Sequence, residues 1–181
     1  MSYFGAGLWH FAAALAFGAG VGVIAGGDPL HWLRQPLFTL FLMVSSSAFF
    51  FVPDFLAKHG AMKFLHYPLP DWDVLLLGPA SHRNWLTHSP LMPVGCAYLA
   101  WREPQFYAHY LALTPVAVGL CVGISSHLFW DCVGSRSHKI IVVPHWFALR
   151  EATSRFYLLL GAAISLLAAL RLAGVGRNLG F

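Results

Sequence analysis

From Gly7 to Gly27 the chain runs without one formal charge. At 1.5 Å per residue, a helix of that length crosses about the 30 Å hydrocarbon core of a bilayer. This segment commits the chain to a membrane before any other residue is weighed. Leu8, Trp9 and His10 open it, and no basic n-region or A-x-A cleavage site surrounds it, so it reads as a retained span and not as a cleaved signal peptide. The composition agrees. The chain is 58% apolar and 10% charged, where an ordinary soluble domain carries about 25% charged residues. A disordered chain, a coiled coil and a typical soluble enzyme are excluded.

Further apolar runs follow at Leu37 to Val52, closed by Pro53 and Asp54, at about Tyr107 to Phe129, and at Phe156 to Leu172. The Ser45-Ser46-Ser47 triplet in the first of these can bond back to its own helix carbonyls. The shortest run, Leu86 to Trp101, has Pro90 and Pro93 in its first turns, where proline is tolerated. If it crosses, the chain is an all-α polytopic membrane protein of about five transmembrane helices; if it is re-entrant, there are four. Residues 1–181 form one integral membrane domain, with polar loops 54–85 and 132–155. Cys96, Cys121 and Cys132 form no CxxC pair, so no disulfide framework is expected.

The five-span reading places the N-terminus and both polar loops on one side. That side holds Lys58, Lys63, Arg83, Arg136, Lys139, Arg150 and Arg155, against Arg34, Arg102, Arg171 and Arg177 on the other. The richer side is read as cytoplasmic. The net charge of +4 is a topology signal on this account, and no nucleic-acid partner is expected.

Ten histidines outnumber seven acids, which directs attention to metal or proton chemistry. The shared face gathers His10 at the start of the first span, Asp54 at the end of the second, and Asp71 and Asp73 in Leu69-Pro70-Asp71-Trp72-Asp73. His82, Arg83 and His88 come from the stretch that leads into the third, and His127 and Asp131 close the fourth. His127 and Asp131 are four apart, so on a helix they share a face and can reach one ion. A polar pair at the end of an apolar helix is costly unless partnered. Imidazole with carboxylate suits zinc, manganese or iron. Plainer roles exist for each group: His10 as a headgroup-facing residue, Asp71 and Asp73 as loop and cap residues, Arg83 as a topology determinant. Thr87 and Ser89 flank His88 either as supports for it or as helix caps. His59, His66, His109, His138 and His145 have no such setting and are read as ordinary interface or loop residues.

The string HRNWLTHSP resembles the HR…THS block of the bacterial inner-membrane metal-dependent hydrolase family. His10 in WHFAAALAFGAGVG resembles that family's N-terminal histidine helix, LPDWD its PDxD block, and GISSHLFWD its SHLLLD block. The four blocks occur in the family's order over about residues 8 to 135. LPDWD lies only nine residues before HR, closer than in the family, and Val52-Pro53-Asp54 sits where the block belongs but has Leu56 at its second aspartate. Asp54 and the Asp71/Asp73 pair both remain open for that role. The resemblance implies a metal-dependent hydrolase acting on a phosphoester or lipid-linked substrate at the membrane surface. His10, Asp54, His82, His88, His127 and Asp131 would be its metal ligands, zinc foremost. Arg83 would lie on the anionic group, and Asp71 or Asp73 would serve as general base.

Two other classes compete. Fifteen Phe, seven Trp and the small residues Ala12, Ala16, Gly20 and Ala25 suit packing against other membrane subunits, so the chain also reads as a non-catalytic accessory subunit of a pigment- or haem-containing complex. A transporter fits less well. The polar groups gather at one end of the helices and not at the midplane, and there is no inverted repeat.

Overall fold

The computed structural model describes residues 3–47, 67–105, 113–134 and 139–175, and these are mostly helical. Helix α1 spans Tyr3–Gly26 and α2 Pro36–Ser46. Gly27, at φ 75°, ends α1 in the left-handed region that glycine enters freely. The turn that follows is held by Asp28, whose carboxylate accepts from Leu30 N at 2.8 Å and pairs with Arg34 at 3.2 Å. Pro36 takes the first position of α2, where its missing N–H costs nothing.

A 3-10 turn at Leu69–Asp71 runs directly into the short helix α3, Trp72–Leu77, and a second turn follows at Pro79–Ser81. Helix α4 spans Leu91–Arg102, and α5 Leu113–Gly134. Strands β1 (Ile141–Val143) and β2 (Phe147–Ala148) form an antiparallel hairpin before helix α6, Glu151–Leu172.

Helix α5 is the axis of the fold, packed by α2 on one side and α6 on another, with α1 along it. Two glycines allow the α2 contact. A Cβ on Gly119 would lie 2.5 Å from the Phe38 carbonyl oxygen, and one on Gly123 would meet Ser45 Oγ and come within 2.8 Å of the Leu42 carbonyl oxygen. Backbone meets backbone there, the close approach by which helices associate where lipid offers no hydrophobic drive. Phe38, Leu42, Val118, Val122 and Ala169 are fully buried in one core cluster, and Leu128, Ile140 and Leu158 in a second. Buried hydroxyls are satisfied within this packing: Ser125 donates to the Ala162 carbonyl at 2.7 Å, Ser165 to Gly161 at 2.8 Å. Ser45 donates to Phe41 at 2.6 Å, the back-bonding expected of its triplet.

Three helical stretches among the described residues are long and apolar enough to cross a membrane: Gly7–Gly26, Leu113–Gly134 and Glu151–Leu172. Ile24, Leu160 and Leu167 point outward from them, which suits lipid contact. Helix α2 is shorter, and the remainder of the Leu37 to Val52 run, with Asp54, lies outside the described residues.

The expected run from Leu86 becomes helical only at Leu91, for a local reason. Asn84 Oδ1 accepts from Leu86 N at 3.0 Å, while Ser89 Oγ donates to the Leu86 carbonyl at 2.6 Å and accepts from Leu91 N at 3.3 Å. These bonds hold the segment before Pro90 in turns. The hairpin is the other departure from the sequence reading. Its β1 reaches back to the same segment, with Ile141 N donating to the Arg83 carbonyl and Trp85 N to the Ile141 carbonyl, each at 2.9 Å.

Candidate metal centre

Four stretches of chain converge at one end of α5. His127 and Asp131 stand one turn apart on it, His10 comes from α1, Asp71 and Asp73 from the start of α3, and His82, Arg83 and His88 from the segment pinned by the hairpin. His88 and His127 are buried, as are Asp73 and Asp131. Asp54, the remaining candidate ligand, lies outside the described residues.

Hydrogen bonds fix how the two buried imidazoles face. The Ser46 carbonyl, at the end of α2 where helix carbonyls lose their partners, lies 2.8 Å from His127 Nδ1. A carbonyl only accepts, so Nδ1 carries a proton and Nε2 is the nitrogen left to take up a second proton or a cation. His88 is set in the same way. Thr87 Oγ1 donates to Asp73 Oδ2 at 2.9 Å and so accepts from His88 Nδ1 at 3.2 Å. Asp73 Oδ2 also accepts from Asn84 N at 2.6 Å, tying α3 to the segment that carries His88.

Both Nε2 atoms then face carboxylates. His88 Nε2 lies 3.2 Å from Asp71 Oδ1 and 3.5 Å from Asp131 Oδ2; His127 Nε2 lies 3.7 Å from each of the same two oxygens. Among the described residues, His88 Nε2, His127 Nε2 and Asp71 Oδ1 are buried without a hydrogen-bond partner. Three acceptors closing on one point repel one another unless a proton or a cation lies among them. These three atoms fall within 4.8 Å of one another, as metal ligands must. The donor set of two imidazoles and a carboxylate, each imidazole braced through its other nitrogen, is the one zinc-type ions take. The residues therefore fit a divalent cation.

The other candidates take distinct positions. His10 stacks on His127 with ring centroids 4.5 Å apart, and its Nε2 is 3.8 Å from Asp131 Oδ1. Trp9 and Trp130 stack at 5.8 Å beside it. His82 is 45% exposed, with Nδ1 3.5 Å from Asp71 Oδ1. Arg83, expected to meet a substrate anion, grips Asp131 through Nε at 3.2 Å and Nη2 at 3.4 Å, a two-point guanidinium–carboxylate pair. Arg83 holds φ at 66°, a conformation that costs a residue with a Cβ about 1 kcal/mol or more and that tends to mark working sites.

Charge follows from the same contacts. Without a cation, burial alone pushes the Asp71 carboxyl up, but the His127 and His88 imidazoles, once protonated on Nε2, outweigh it and hold the group well below the ordinary carboxylate value. Burial brings His82 below the ordinary histidine value, with Asp71 opposing the shift.

The supports were the least visible part of the site. Thr87 braces His88, while Ser89 serves the turn before α4, so two neighbours of equal sequence claim divide the two roles offered to them. The Ser46 carbonyl leaves no side-chain signal at all. Comparison of the chain with protein-family models, curated proteins and solved structures returns no match. The family resemblance thus rests on its four short blocks.

Proposed function

We propose that this chain is a membrane-embedded metal-dependent hydrolase, acting on a phosphoester or lipid-linked substrate at the membrane surface. One observation carries the reading: the unpartnered Nε2 atoms of His88 and His127 and Oδ1 of Asp71 converge in a buried pocket. That pocket adjoins the end of a helix apolar enough to cross a bilayer.

In this reading Asp71, His88 and His127 hold the cation, zinc foremost and manganese or iron as alternatives, with His10 and Asp131 beside them. A bound divalent cation supplies Lewis acidity, polarising the scissile bond and bringing the pKa of attacking water towards about 7. Ser46 and Thr87 keep the two imidazoles in the tautomer that ligates. Arg83 balances the Asp131 charge, and Asp73 fixes the His88 segment. In the same reading the apolar runs that contain α2 and α4 bring the crossings to about five, in a bacterial inner membrane with the N-terminus and motif loops cytoplasmic.

The test is elemental analysis of detergent-purified protein after mild chelation and repurification. Wild type is expected to retain a transition metal, and His88→Ala and His127→Ala are each expected to lose it, since each variant removes a bond and its geometry. Metal-free wild type, or variants that keep full occupancy, would sink the hydrolase reading. Stoichiometric membrane partners in the native bilayer would then favour an accessory subunit.

A further inference from the structure

We propose that the centre is built for two cations, with Asp71 shared between them. The inference rests on the metal-dependent reading above and extends it to the number of ions and the class of substrate.

Asp71 belongs to two ligand sets. Besides its grouping with His88 and His127, it stands with Asp73 and His82, again one ligand atom each and all within 4.8 Å. The second set has its own unmet demand. Asp73 is fully buried, its Oδ2 accepts from Asn84 N and Thr87 Oγ1, and its Oδ1 has no hydrogen-bond partner. A buried carboxylate oxygen left bare is costly. The described residues offer it no donor, and a cation held with His82 would satisfy it. His82 is the most exposed ligand of the cluster, so this second set opens to solvent while the His88–His127 set is closed.

The number of donors points the same way. A tetrahedral ion uses about four ligands. His10, Asp71, Asp73, His82, His88, His127 and Asp131 offer more than one ion can take.

Charge then selects the substrate. Among the described residues, three carboxylates, Asp71, Asp73 and Asp131, stand with one guanidinium, and that guanidinium is committed to Asp131. With neutral imidazoles the cluster carries two negative charges. One divalent ion brings it to neutrality, which exerts no pull on an anion. A second leaves it doubly positive, matched to a phosphoester dianion at the membrane surface, and two-cation sites of this kind clamp the attacking and leaving oxygens of a phosphoryl group.

The experiment is metal counting with a spectroscopic readout. Full-length protein in detergent is stripped with chelator, refilled with Mn²⁺, desalted, and read by elemental analysis and electron paramagnetic resonance. Wild type should hold about two equivalents with an exchange-coupled spectrum, the signature of ions sharing a ligand. His82→Ala and Asp73→Asn should each hold about one, with the six-line signal of an isolated ion. If wild type holds one uncoupled ion, the second site is wrong and the first survives. If it holds none, both readings fall. Two ions retained in both variants, or two uncoupled ions in wild type, also overturn the proposal. Should either variant misfold, the wild-type spectrum still decides.

Discussion

Gly123→Ala tests whether the α2–α5 contact sets the centre. Its new methyl would meet Ser45 Oγ and lie 2.8 Å from the Leu42 carbonyl oxygen. The hydroxyl can rotate aside, but the carbonyl belongs to helix backbone and moves only if α2 moves. Overpacking costs about 1–3 kcal/mol, and a rigid obstacle puts this case near the upper end. Alanine in a helix interior returns about 1 kcal/mol relative to glycine. The net loss is about 2 kcal/mol, or about 4–8 °C in Tm for a chain of this size. Gly20→Ala is the matched control, because a Cβ there meets nothing within 4 Å; it should leave Tm unchanged or slightly raised. Thermal unfolding in one detergent, with both variants side by side, reads the difference. The same shift of α2 carries the Ser46 carbonyl away from His127 Nδ1, so metal affinity should fall along with Tm. A Gly123→Ala protein as stable as Gly20→Ala would refute the backbone contact on which the His127 orientation depends.

Two further outcomes follow from the supports and the charges. Thr87→Val removes the hydroxyl between Asp73 and His88 Nδ1 at nearly constant volume, and should weaken metal binding about 10- to 100-fold, measured by competition with a fluorescent chelator; affinity within twofold of wild type would mean that Thr87 does not orient the imidazole. In the metal-free protein, comparison of wild type with His82→Ala isolates the His82 titration. His82 has a folded pKa below 6.5, so its contribution is complete above 6.5 and is lost as pH falls towards the folded value, and Asp71, held below its ordinary value of 3.8, adds a loss at still lower pH. Unfolding midpoints of wild type and His82→Ala between pH 7 and 5 should therefore converge as the pH drops, and a constant gap would contradict the assignment.

The parts of this protein legible in its sequence are those governed by helix periodicity and by membrane cost. Gly7 to Gly27, the Tyr107 to Phe129 run from Leu113 onward, and Phe156 to Leu172 need only a count of uncharged residues, and each falls within or along a helix; residues 107–112 lie outside the described residues. His127 and Asp131 were legible because four-residue spacing on one helix leaves their relation no freedom. Position across separate elements was not legible in the same way. Asp71 and Asp73 lie two apart, yet one enters the His88–His127 ligand set while the other braces His88 through Thr87. That division arises because a 3-10 turn hands over to α3 between them, a change of pitch that composition does not encode. Arg83 carries the same lesson with a different cause. The sequence placed a guanidinium beside two candidate ligands and suggested a substrate anion, but the hairpin holds its backbone in the left-handed region and the side chain meets Asp131. The β-branched run Ile140-Ile141-Val142-Val143 before Pro144 is the sequence signal for that hairpin, and its place in a loop flanked by membrane helices masks it. The charge consequence is larger than the geometric one: once Arg83 neutralises Asp131, the pocket has no uncommitted cation for an anionic substrate among the described residues, and bound metal has to supply it.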